Sequence, residues 1–201
     1  MTLDNIGIMY GCDKASPWHN YCRTYSHFFD PLRDRPVFLL EQGVAQGASI
    51  RMWLDYFDRP LSRFYGLDTN PNAYPSVGRY QFIQQDQRTV VSLPLPAFDI
   101  IIDDASHHAE DMRPAFEALW PNVRPGGFYC IEDVAVFWDP DFAATAPGQK
   151  WLLDLLGEVN HHGLDYVGKP KPVPQVQLTP LAASIAFMHC TRGLVILKKK
   201  T

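Results

Sequence analysis

Phe98-Asp99-Ile100-Ile101-Ile102-Asp103-Asp104-Ala105-Ser106-His107-His108 decides the fold, because a short, mostly apolar run stops on two carboxylates and a histidine pair. A strand buried on both faces of a parallel sheet reads as a near-continuous apolar run, without polar alternation. The same pattern recurs upstream: residues 37–40 end at Glu41 and Gly43, residues 64–67 end at Asp68, and residues 80–83 lead to Asp86. Downstream, residues 128–131 end at Glu132 and Asp133. Helical patterns fill the gaps at residues 48–57 and 151–159. Another lies within 106–123, where Met112, Phe116, Leu119 and Trp120 share one face and Pro125-Gly126-Gly127 closes the segment. Residues 184–189 and 194–198 flank Thr191-Arg192-Gly193 and predict an antiparallel hairpin. Strand and helix in alternation predict an α/β fold with a doubly wound, mostly parallel sheet and that hairpin at its end.

The 201 residues fit one domain, 46% apolar and 13% aromatic, enough to close a core. Residues 1–35, with Tyr21, Tyr25 and Phe29 at near-helical spacing, predict an N-terminal helical cap on an α/β core spanning 36–201. Lys and Arg number 18 against 22 Asp and Glu, a net charge of −4 without the basic excess of a phosphate-backbone binder. Nucleic acid is therefore not the expected partner. No apolar run is long enough for a membrane span, and the first residues lack a basic stretch followed by an apolar one, so the expected location is cytoplasmic. Cys12, Cys22, Cys130 and Cys190 form no C-x-x-C pair and read as reduced thiols. Residues 169–180 are polyproline-like and read as a stiff surface connection, with a lid or dimer contact as the alternative; residues 198–200 read as a solvated tail. A homo-oligomer is compatible with this sequence.

In a doubly wound sheet, ligands bind beyond the carboxyl ends of the strands. That rule gathers Glu41, Asp68, Asp86, Asp103, Asp104, Glu132 and Asp133 on one rim. The turn Glu41-Gln42-Gly43-Val44-Ala45-Gln46-Gly47, followed by Ser49, brings backbone close to a ligand at a helix start. Ala45 stands where a G-x-G-x-x-G fingerprint needs its second glycine, so a pyrophosphate is not the expected ligand. Asp68 is placed to take two ribose hydroxyls, and Asp86 with Gln87 to hold an adenine amino group. S-adenosylmethionine, an adenosine cofactor with a cationic sulfonium and no diphosphate, suits this rim. The plainer alternative makes Gly43 and Gly47 a simple strand-to-helix turn and Asp68 a cap. At the other end of the rim, Asp103, Asp104, Glu132 and Asp133 crowd like charges that only protons or a cation can offset. All-oxygen ligands select a hard divalent ion such as Mg²⁺, Ca²⁺ or Mn²⁺.

These residues, with Gly11-Cys12-Asp13-Lys14, His19, Tyr21, Tyr25, LLEQGVAQGASIRMW (39–53), YGLDTNP (65–71), DIIIDDASHH (99–108), LWPNVRPGG (119–127) and YCIED (129–133), resemble the metal-dependent sugar O-methyltransferases that decorate macrolides and related natural products. The motifs follow the same order across residues 10–133, and the D-D-x-S-H and I-E-D pair is the most specific part. The resemblance implies a class I methyltransferase fold using S-adenosylmethionine and Mg²⁺. Asp104, Glu132 and Asp133 would then be metal ligands and His107 the general base that deprotonates a saccharide or glycoside hydroxyl. His107 rather than His108 follows the serine as the family pattern requires; His27, His161, His162 and His189 read as structural or exposed. Asp103 either touches ligand or orients its neighbours. Cys12 replaces the family's usual Thr, and Val134-Ala135-Val136-Phe137-Trp138 is less polar than usual there, with Phe137 and Trp138 either stacking on a sugar or anchoring a loop. Antibiotic-modifying members often carry a further N-terminal domain; its absence from this sequence leads us to expect a different saccharide. Two other readings stay open: a non-haem iron hydroxylase, with His107 or His108, Asp104 and Glu132 holding iron as a two-histidine, one-carboxylate site, and a non-catalytic nucleoside-binding module.

Overall fold

Apolar runs of the sequence become β1 (Phe38–Gln42), β2 (Arg63–Asp68), β3 (Tyr80–Gln84), β4 (Phe98–Asp103) and β5 (Val123–Ile131), joined by parallel pairing. The structure, a computed structural model, describes residues 1–90, 97–138, 147–160 and 179–201. Two C-terminal strands, β6 (Ile185–Thr191) and β7 (Leu194–Lys199), form the expected hairpin, and β7 adds antiparallel to β5. The seven strands run in the order β3-β2-β1-β4-β5-β7-β6. The chain thus builds outward from β1 and then restarts at β4 on its other side. This is the class I methyltransferase fold, and the restart opens a crevice between the carboxyl ends of β1 and β4, where Gln42 pairs with Asp103.

Every residue of β4 is buried. Side chains alternate across a strand, so Ile100 and Ile102 enter one core while Ile101 enters the other. On the first face lie α1 (Leu3–Met9), α2 (Tyr21–Phe29) and α3 (Ala48–Tyr56), with Tyr25, Phe29, Trp53 and Phe57 forming a stacked and edge-on aromatic cluster. The second face is covered by α4 (Ala109–Leu119), α5 (Pro147–Asn160) and α6 (Pro180–Ser184), where Phe116 meets Tyr129 edge-on and leans on Trp120 and Trp151. Asp99 is buried in β4 near its start; Arg35 and Arg124 contact it at 2.8 and 2.7 Å, and the Phe38 N–H donates to it at 2.8 Å.

Three elements differ from the sequence reading. The N-terminal cap holds two helices, because Thr2 accepts from the Asn5 N–H at 3.2 Å and starts α1 ahead of the one expected. The helix after β4 begins at Ala109, later than expected, because His107 adopts φ 58° and keeps the chain out of the helix until His108 caps it. Residues 198–200 are not a free tail: β7 runs through Lys199, whose ammonium donates to the Trp120 and Val123 carbonyls at 2.9 and 2.8 Å. Residues 169–178 of the proline-rich segment, together with His161 and His162, lie outside the described residues. Among the described residues, no helix is long and apolar enough to cross a membrane.

Candidate active site

The β1–β4 crevice opens into a cleft of about 340 Å³ lined by Gly43, Asp68, Asp86, Gln87, Ser106 and His108, among others. Its floor depends on Gly43, which turns at φ 80° so closely under β4 that an added Cβ would lie 2.0 Å from the Asp104 carbonyl oxygen. Asp68 holds the turn above it: one carboxylate oxygen accepts from the Val44 and Ala45 N–H groups at 3.1 and 3.0 Å, and the other accepts from Asn70 N–H at 2.9 Å. The oxygen that takes Asn70 keeps a lone pair for a ligand, while the other is filled by its two N–H donors. Asp86 pairs with Arg88, whose hydrogen bonds hold its carboxyl down at about 2.

Of the other residues expected at the cofactor, Gln87 lines the cleft, while Glu41, Gly47 and Ser49 lie outside its lining. Gln87 is committed internally: its amide N–H donates to both Asp103 oxygens at 3.0 and 3.2 Å, and its carbonyl accepts from the Ser106 N–H at 3.0 Å. Asp103 therefore braces the loop carrying Ser106 and His107. Burial, and then the charge of Asp104, push its carboxyl up to about 7. Glu41 is fully buried beneath the cleft, where the Trp53 indole donates to it at 3.1 Å and burial raises its carboxyl to about 7 against the pull of Lys14. Gly47 and Ser49 begin α3 and lie outside the cleft's lining.

At the ends of β4 and β5, Asp104, His107 and Asp133 each bring one donor atom within 4.8 Å of the others. His107 and Asp133 both hold left-handed backbone, at φ 58° and 55°. Such strain persists in non-glycine residues only where the surroundings impose it, and it concentrates at functional sites. The His107 Nε2 faces Asp133 Oδ2 at 3.7 Å, while its Nδ1 is buried without a hydrogen-bond partner. Tyr21 donates to the other Asp133 oxygen at 2.6 Å and to the Gly193 carbonyl at 3.2 Å. A side chain at Gly193, which turns at φ 80°, would strike that tyrosine oxygen.

Behind these residues lies a buried ion cluster. The Lys14 ammonium hydrogen-bonds Asp104, donates to Glu132 at 3.0 Å and lies 3.3 Å from Glu41. Tyr25 donates to the second Glu132 oxygen at 2.6 Å. Burial opposes the charge on Lys14, but the three carboxylates overcome it and raise its pKa well above the usual lysine value. Burial likewise raises Glu132 and Asp104, with Lys14 pulling both back. Asp133 also borders a second cleft of about 690 Å³, whose walls include Trp18, His19, Tyr21, Val136 and Arg192. Ala105, Ser106 and His108, the neighbours of Asp104 and His107, line the first cleft and Asp133 lines the second, so the donor group adjoins both.

The sequence reading gave Tyr21, Tyr25 and Lys14 no chemical role. Their partners are far along the chain, 118 residues away for Lys14 with Glu132, and no local pattern predicts such a meeting. His27 and His189 pack edge-on against Phe28. The side chains of Phe137 and Trp138 lie outside the described residues. Cys12 is buried, and burial pushes its thiol up to about 12, which leaves it an inert core residue. The metal-capable group contains one histidine, because His108 lines the cleft on the other side of the loop; the two-histidine iron site does not form among the described residues.

A family model described as a methyltransferase domain matches residues 40–134. The chain is 33% identical, over 98% of its length and 53% of the relative's, to 8-demethyl-8-(2-methoxy-alpha-L-rhamnosyl)-tetracenomycin-C 3'-O-methyltransferase of Streptomyces olivaceus. It is 35% identical to mycinamicin VI 2''-O-methyltransferase of Micromonospora griseorubida, over 77% of this chain and 41% of that one. Its fold superposes on the MycE methyltransferase of the mycinamycin biosynthetic pathway, in complex with Mg and SAH, with a TM-score of 0.86 and 28% identity over 100% of this chain and 55% of that one. The chain belongs to the natural-product sugar O-methyltransferase family. Within that sugar O-methyltransferase family it spans about half the length of the curated relatives it matches.

Proposed function

We propose that the chain is a single S-adenosylmethionine- and Mg²⁺-dependent methyltransferase domain, capped by residues 1–35, that methylates a sugar hydroxyl of a glycosylated natural product. The observation that carries this reading is the convergence of Asp104, His107 and Asp133 between two clefts. The donor set fits a hard divalent ion: the Asp104 and Asp133 carboxylates converge beside the His107 imidazole, each with a donor atom within 4.8 Å of the others. Asp104 and Asp133 would hold the ion, with Glu132 as third carboxylate, since each of its oxygens keeps a lone pair beyond the bonds from Lys14 and Tyr25. When bound, such an ion lowers the pKa of a coordinated hydroxyl.

The chain's own residues supply the rest. Asp68 and the Gly43 turn bind and orient the adenosine moiety in the smaller cleft, and Asp86 borders it. The larger cleft takes the saccharide, presenting one hydroxyl to His107. His107 accepts that proton on Nε2, where Asp133 at 3.7 Å stabilises the imidazolium. Tyr21 fixes the remote oxygen of Asp133, so the oxygen facing His107 stays in place. Related proteins support this assignment: MycE has been solved with Mg, SAH and mycinamycin VI, with a TM-score of 0.85 to this chain.

The test is incubation with S-adenosylmethionine, Mg²⁺ and a panel of rhamnosylated and deoxysugar-bearing polyketides, read by mass spectrometry. A gain of one methyl on the sugar, lost with chelator and lost in His107→Ala, is expected. Methylation that persists in both controls would contradict the assignment.

A further inference from the structure

Lys14 belongs to the Gly11-Cys12-Asp13-Lys14 segment, and nothing in the reaction outlined above requires a lysine there. Yet it is 1% exposed and reaches three carboxylates at once. Its backbone is fixed on both sides: the Cys12 N–H donates to the Gly7 carbonyl at 2.9 Å, and the Cys22 N–H donates to the Lys14 carbonyl at 2.9 Å. The ammonium is therefore delivered from α1 and α2 onto the ends of β1, β4 and β5. Of its three partners, Asp104 and Glu132 are two of the carboxylates assigned to the metal. Glu41, the third, has one oxygen 3.3 Å from the ammonium and the other taking the Trp53 indole.

We propose that Lys14 is a positioning residue for the metal: a permanent internal cation that holds Asp104 and Glu132 in place while the ion is away and, by like-charge repulsion, keeps the ion exchangeable. The inference rests on the metal reading above. Four carboxylates, Glu41, Asp104, Glu132 and Asp133, share one lysine, so the cluster retains negative charge that a divalent ion can meet without displacing the ammonium. Three of those four carboxylates touch Lys14 directly. A divalent ion held by the same carboxylates stands a few ångströms from that ammonium. At such separations the repulsion is substantial even at the effective dielectric of a partly solvated site.

A lysine that only fills core space would leave metal affinity unchanged when replaced. Lys14→Met keeps the length and apolar stem and removes the charge. The measurement is Mn²⁺ binding by calorimetry in the presence of S-adenosylhomocysteine, paired with thermal unfolding in Mn²⁺ and in chelator. Lys14→Met is expected to unfold at lower temperature in chelator, to recover more on adding Mn²⁺ than the native chain does, and to bind Mn²⁺ about tenfold more tightly. Equal or weaker Mn²⁺ affinity, with the same loss of stability in both conditions, would overturn the role. Should Lys14→Met fail to fold even with Mn²⁺, the double variant Lys14→Met/Glu41→Gln removes one charge of each sign and decides by the same affinity comparison. Absence of Mn²⁺ binding to the native chain would overturn the metal reading itself, and with it this role.

Discussion

The two halves of the strand-end rim are built differently. The half proposed for the cofactor, around Gly43, Asp68 and Gln87, is held by short links: Asp68 caps the turn after β1, and Gln87 braces Asp103 and Ser106. The acidic half, around Asp104, Glu132 and Asp133, depends on side chains from the N-terminal segment, with Lys14, Tyr21 and Tyr25 reaching it across 90 to 118 residues of sequence. Backbone geometry and local side chains suffice to shape a cleft. Holding several carboxylates together takes buried cations and donors from elsewhere in the chain. A substitution in the first half should therefore act on cofactor affinity, and one in the second half on turnover.

The largest break in this contrast should come from His107→Ala. Loss of a positioned general base lowers turnover by about 10²- to 10⁴-fold, while S-adenosylhomocysteine affinity, measured by calorimetry, stays within error of the native value. A parallel fall in that affinity would merge the two halves into one unit. Next in size is Asp68→Ala, which strands the N–H groups of Val44, Ala45 and Asn70. Cofactor affinity should fall by about tenfold or more, in line with the roughly 1.5–3 kcal/mol of a hydrogen bond to a charged group; unchanged affinity would remove Asp68 from the ligand's surroundings.

Tyr21→Phe sharpens the comparison more gently. It deletes the hydroxyl that fixes Asp133 and spares the ring stacked on His19. One hydrogen bond to a charged group, worth about 1.5–3 kcal/mol in stability, bounds the effect: kcat should drop about tenfold with cofactor affinity unaltered, and a change confined to the cofactor's Kd would contradict the division. Smallest of all should be Arg113→Ala on the outer face of α4, where an exposed pair with Glu117 at 2.8 Å contributes about 0.3–0.5 kcal/mol. Thermal unfolding should barely register it.

Much of this organisation was legible in the sequence, for identifiable reasons. Strands buried on both faces leave unbroken apolar runs, and their termini then mark the rim, so Gly43, Asp68, Asp104, Glu132 and Asp133 could be singled out from the runs that precede them. The hairpin was legible from Gly193 between two apolar segments. The helix Leu3–Met9 was not, because seven residues carry too few turns for a periodicity to register. Gln87 illustrates a different limit: its position beside the cleft was readable, but its amide turns inward to Asp103, a choice made by a neighbouring strand. Lys14 is the extreme case. Between Asp13 and Ala15 it carries no chemical pattern of its own, and only the fold surrounds it with Glu41, Asp104 and Glu132.

The proposed function requires one cleft to take an adenosine cofactor without a diphosphate, beside a separately built metal site. Thermal unfolding with S-adenosylhomocysteine, with NADH or with buffer, each in Mg²⁺ and in chelator, tests it most directly, because only ligands that prefer the native state raise the midpoint. We predict a rise with S-adenosylhomocysteine in both conditions, a further rise with Mg²⁺, and none with NADH. No response to S-adenosylhomocysteine, or an equal response to NADH, would contradict it.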